Sequence, residues 1–164
     1  MARIKTDLST ILTAIKTRLV ADTVLDTSRI FLSLTADDEL TWPGNDMVIV
    51  VAPGSYPADL RAEAGGGNEL KVFDGVTKLS LWVRLGLDQA TRDDQWLTHA
   101  TLGALAKWRL VMKSLNQHDL LSGTDQILEE PMRCIRFDAA PAKTKGGWAR
   151  LTSLWETKWL QDLT

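Results

Sequence analysis

A chain of 164 residues, 45% apolar and 24% charged, suits one soluble domain spanning 1–164. Such a domain buries roughly 70% of its unfolded surface and needs neither disulfides nor metals to hold a core. A net charge of −2 argues against nucleic-acid binding through bulk charge, and a single cysteine excludes an internal disulfide. Residues 1–7 lack the apolar stretch of a signal peptide, and no run approaches the roughly 20 apolar residues of a membrane span. The expectation is a soluble intracellular protein.

The first element is a helix. Leu8, Ile11, Leu12, Ile15 and Leu19 recur at helical spacing, Asp7 is placed to cap the N-terminus, and the polar stretch 22–28 ends it. Residues 30–34 are short, apolar and partly β-branched, which predicts a strand. Residues 35–46 read as a loop, with Asp37-Asp38-Glu39 and the turn-forming Pro43-Gly44-Asn45-Asp46. The run 47–52, with Val48-Ile49-Val50-Val51 at its centre, predicts a strand buried on both faces and ended by Pro53-Gly54.

Residues 55–68 contain Pro57, Arg61 and the Gly65-Gly66-Gly67 triplet, and read as a mobile loop or the tip of a long hairpin. The region 69–87 reads as strand interrupted at Asp74-Gly75, a hairpin signal. Beyond it Leu79, Leu81, Val83, Leu85 and Leu87 alternate with Ser80, Trp82, Arg84 and Gly86, so one face goes to a core and Trp82 lies on the other. A long helix is expected over 92–116, opened by a capping box at Thr91 and Asp94. Its stripe is Leu97, Ala104, Leu105, Trp108, Val111, Met112 and Leu115, thinned by Ala100 and Gly103 for close approach to a sheet.

Residues 118–130 are polar and irregular, with a turn at Ser122-Gly123, and 132–137 predict a strand. The stretch 139–147 is small, flexible and basic. The closing segment 148–160 fits either a helix, on Leu151, Leu154, Trp155 and Trp159, or a strand with Ala149, Leu151, Ser153, Trp155, Thr157 and Trp159 on one face. Its Trp and Thr content favours the strand. The plan is α+β: a mainly antiparallel sheet with two principal helices packed on one face, and long flexible hairpin loops.

Groups able to do chemistry are sparse. His99 and His118 are far apart, and neither has an evident nucleophile or orienting carboxylate. Asp37-Asp38-Glu39 reads as a solvated loop, since consecutive carboxylates rarely converge on one cation. Cys134 reads as a small buried side chain. No catalytic residue, metal ligand or cofactor site is assigned. Seven tryptophans exceed the needs of one small core, and Trp is enriched at interfaces. Trp108 is assigned to the core, and Trp42, Trp82 and Trp148 are the interface candidates. Arg61, Gly65, Gly66, Gly67, Lys143, Lys145 and Arg150 are candidates for loop contacts, with the basic group suited to phosphates or an acidic partner.

The segment order resembles a known family. A helix carrying Ile11-Leu12-Thr13-Ala14-Ile15-Lys16-Thr17-Arg18-Leu19 leads to Ser28-Arg29-Ile30-Phe31-Leu32. An acidic loop, Met47-Val48-Ile49-Val50-Val51-Ala52-Pro53-Gly54, a long strand, a long helix and a final hairpin follow. This is similar to the tail terminator (tail-completion, neck) proteins of long-tailed bacteriophages. The resemblance implies a homo-hexameric ring in the virion, assembled in the host cytoplasm, that caps the tail tube, ends its elongation and presents a docking surface for the head. Its implied partners are further copies of the chain, the tail tube protein and a head–tail connector protein, with DNA passing through the lumen. It implies no enzyme activity, cofactor or membrane. The alternatives are another connector component, head-closure or adaptor, and a small metal-dependent hydrolase.

Overall fold

The computed structural model describes residues 6–33, 47–54, 59–62, 70–84, 103–140 and 148–162. In 59–62, in most of 70–84, and at 148 and 160–162, it describes the backbone only.

Helix α1 (Leu8–Ala21) forms where the apolar stripe predicts it. Asp7 caps it, its carboxylate accepting the Thr10 N–H at 2.7 Å and the Ser9 hydroxyl at 2.8 Å. These bonds, the Thr10 backbone bond foremost, hold the Asp7 carboxyl below its usual range. The stripe of Ile11, Leu12, Ala14, Ile15 and Leu19 is buried. The other end closes with the Thr23 N–H donated to Val20 and the Val24 N–H donated to Leu19, a Schellman stop with Thr23 in the left-handed region at φ 53°. A single 3-10 turn at Thr27–Arg29 then feeds the sheet.

The main sheet contains β1 (Ile30–Leu32), β2 (Met47–Pro53), β3 (Asp59–Ala62), β4 (Leu70–Arg84), β7 (Arg133–Ala140) and β8 (Trp148–Asp162). Its order is β1-β2-β4-β8-β7, with β3 beside the first half of β4. Only β1 and β2 are parallel; the other pairs are antiparallel. A small hairpin of β5 (Leu121–Ser122) and β6 (Asp125–Gln126) lies apart, turned by Gly123 at φ 67°. Positive φ at the first of two loop residues suits glycine.

From Met47 to Ala52 every residue of β2 is buried, as its unbroken apolar run predicts. The closing segment is strand: β8 buries Ala149, Leu151, Ser153, Trp155, Thr157 and Trp159 on one face, and Thr152 of the other face is buried as well.

Three sequence expectations are corrected. Asp74-Gly75 is not a turn: β4 runs through it, with Asp74 paired to Lys158 and Gly75 to Thr157. A continuous ladder along an equally long partner outweighs the roughly 1 kcal/mol cost of one strand glycine. Second, the segment read as a mobile loop or the tip of a long hairpin contains a strand. Asp59–Ala62 pairs antiparallel with Lys71–Asp74, which agrees with the hairpin alternative and overturns the loop one at these four residues. Third, the second helix, α2 (Ala104–Leu115), begins only after Gly103, which stands extended at φ −67°, ψ 155°. Glycine's helix penalty of about 1 kcal/mol favours such a boundary. The proposed start of that helix, with Thr91, Asp94, Leu97 and His99, lies outside the described residues, as does Asp37-Asp38-Glu39.

Both described helices pack on one face of the sheet. Met47, Ile49 and Val51 of β2, Leu79 and Leu81 of β4, and Leu151, Trp155 and Trp159 of β8 join the α1 stripe and Val111 and Leu115 of α2 in one core. Leu120, Ile127, Leu128 and Met132 complete it, so the segment read as polar and irregular supplies buried anchors.

Candidate interaction surface

The aromatic residues bridge the core to one sheet edge. Trp155 is fully buried, and its indole N–H donates to the Ser153 hydroxyl oxygen at 2.7 Å. Ser153 in turn donates to the Leu79 carbonyl at 3.3 Å. Trp108, on α2, lies 6.3 Å from Trp155 between ring centroids and stacks on Phe137 of β7 at 4.6 Å. Such pairs contribute about 0.5–1.5 kcal/mol beyond their buried area. Phe137 nonetheless remains 41% exposed, and Ile135 47%.

Strand β7 is the most exposed strand of the main sheet among those whose side chains are described. All six residues from Ile135 to Ala140 are exposed. A register shift between Cys134 and Arg136 bends the strand at Ile135. Arg136 pairs with Asp138 at 2.7 Å, and Arg133 with Glu156 at 2.6 Å. Lys158 reaches Glu130 at 2.8 Å, which holds the Glu130 carboxyl below its usual range. The Asn116 side chain accepts the Cys134 N–H at 3.2 Å and covers the start of the strand.

Cys134 is half-buried rather than fully buried, because its strand lies at the end of the sheet. Burial pushes its thiol up, which disfavours the thiolate form. His118 is exposed. Among the described residues no three His, Cys, Asp or Glu side chains are grouped to hold a metal ion, and no helix is long and apolar enough to cross a membrane.

Of the interface and loop candidates, Trp42, Gly65, Gly66, Gly67, Lys143 and Lys145 lie outside the described residues. Backbone register brings Trp82 directly opposite Arg150, and sets Trp148 opposite Arg84, two positions along β8 from Arg150. Arg61 is not part of that group. It pairs with Val72, ten positions along β4 from Trp82, or about 33 Å at the usual strand rise. Trp155 and Trp159 are core residues. Sequence reasoning passed over Ile135, Arg136, Phe137 and Asp138; the available signal was a strand of mixed apolar and charged residues without a clean alternation.

No family model matches the sequence, and no curated protein matches it. The fold is similar to that of a solved chain from the virion of a native gene transfer agent particle. The two are 16% identical, with a TM-score of 0.53 over 92% of this chain and 94% of that one. A second solved chain is 12% identical at a TM-score of 0.45, over 93% of this chain and 96% of that one.

Proposed function

We propose that the protein is a structural component of a phage-like particle and acts as a tail terminator. Copies of the chain form a ring, taken as a hexamer, that sits on the finished tail tube, stops its growth and receives the head. The observation that carries this reading is the whole-length likeness to a chain of a gene transfer agent virion, with no large segment left over on either side. The α+β architecture, one core with helices on a single sheet face, supports it. So does an exposed strand at the end of the sheet that carries Ile135 and Phe137 among charged residues, a surface suited to neighbours. The role needs no bond-making step, and none is assigned to any residue. Trp82, Trp148 and Arg150, close in register, are the proposed contacts with adjoining subunits or tube.

The test is addition of the purified protein to growing tail tubes. A terminator arrests elongation and appears by electron microscopy as a cap at one tube end, with ring mass matching six copies. Tubes that grow on unchecked, with the protein bound instead to the head vertex, would favour a head-closure or adaptor role. Binding to neither would sink the proposal.

A further inference from the structure

Strand β7 presents its outer edge without a described strand beside it, since it stands last in the sheet order. The Asn116 bond protects only the Cys134 position; from Ile135 to Ala140 the strand is exposed. Within the strand the Cys134 thiol donates to the Arg136 carbonyl at 3.5 Å, and among the described residues no strand covers this edge. A strand edge with exposed apolar side chains is a template for another strand. Its own order of charges says which strand fits. Arg136, Phe137 and Asp138 are consecutive, and the register puts Arg136 and Asp138 on one face with Phe137 on the other.

In an antiparallel pair of identical strands centred on Phe137, position 136 of one copy stands opposite position 138 of the other. The segment is therefore its own electrostatic complement. We infer that β7 pairs antiparallel with β7 of a second copy, with Phe137 on the twofold axis.

The free chain already joins Arg136 to Asp138 within one strand, at 2.7 Å. Pairing adds the opposite charge from the second copy on each side, converting two isolated surface pairs into a four-charge network. Isolated surface pairs contribute little, and networks more. On the helix face the two Phe137 rings meet beside the Trp108 rings on which they already stack. The bulge at Ile135 lies outside the central three residues and leaves their register intact. A contact of this kind is isologous and closes at two copies. It does not depend on the tail-terminator reading: it describes the protein off the particle, where the edge is otherwise open to uncontrolled association.

The test begins with light scattering of the full chain, expected to give about twice the 18.2 kDa of one copy. Arg136→Asp sets like charges opposite each other in its own dimer, and so does Asp138→Arg; each variant alone is expected to be a monomer. Their equimolar mixture restores opposite charges at every facing pair and is expected to return to the dimer. In a Cys134→Ser background, Phe137→Cys is expected to oxidise to a linked dimer, because directly opposed strand residues lie within the 4.4–6.8 Å Cα separation a disulfide spans. Ala139→Cys, which does not face itself, is expected to stay unlinked. A monomeric parent chain, a mixture that fails to dimerise, or a larger assembly in which Phe137→Cys stays unlinked would each overturn the inference.

Discussion

Ser114 of α2 donates its hydroxyl hydrogen to the Asp22 carboxylate at the end of α1, a 2.7 Å bond between residues 92 apart in sequence. Arg18 holds the same carboxylate at 2.8 Å. A carboxylate at a helix C-terminus opposes the helix dipole, so it persists there because these donors compensate. The Ser114 bond is the foremost cause that lowers the Asp22 carboxyl below its ordinary value of 3.8, followed among the stabilising causes by the Arg18 charge. Ser114→Ala is expected to cost about 1 kcal/mol near neutral pH. A lowered carboxyl stabilises the fold fully above its unfolded value and loses that contribution as pH falls through the folded one. The difference in Tm between the parent and Ser114→Ala should therefore narrow below pH 3.8. A difference that stays constant into acid would contradict this role.

Thr23 holds a left-handed conformation that its branched side chain disfavours. The bonds closing α1 require that conformation, so the strain is retained. Thr23→Gly is expected to stabilise by about 1 kcal/mol, whereas Thr23→Ala gains much less. Thermal unfolding of the two variants separates strain relief from simple loss of a side chain.

Trp155 joins the core, the Ser153 hydroxyl and the Trp108–Phe137 stack. Trp155→Ala is expected to cost about 3–5 kcal/mol by urea denaturation, and to loosen β7 as well as the core. Hydrogen exchange at residues 133–140 should rise in step. Unchanged protection there would mean that the aromatic bridge does not hold the edge strand.

Thr77 is fully buried in β4, and among the described residues its hydroxyl oxygen meets no hydrogen-bond partner. Desolvating an unpaired hydroxyl costs about 1–3 kcal/mol, so Thr77→Val is expected to preserve or raise stability. A clear loss in the urea midpoint would show that the hydroxyl has a partner in solution.

Parts of this fold were legible because they depend on a period carried within a single segment. The α1 stripe with its Asp7 cap, the two-sided burial of β2 and the alternation of β8 all follow from apolar spacing and a local carboxylate. Where local chemistry and long-range pairing disagreed, pairing won. Asp74-Gly75 carries a strong turn signal, yet both residues lie in a ladder with β8. Asp59–Ala62 carries a weak strand signal, yet it pairs with β4. Gly103 is a different case: its own helix penalty favours the start of α2 there, although the apolar stripe runs past it.

By itself, then, the order of residues determined the α+β composition, the main core positions and the scarcity of groups suited to chemistry. Tertiary structure decided that β7 ends the sheet, that Arg150 lies beside Trp82 while Arg61 does not, and that Phe137 rests on Trp108 yet faces solvent. The physical reason is that side-chain periodicity is a property of each strand alone. Which strand lacks a neighbour is a property of how all the strands are arranged.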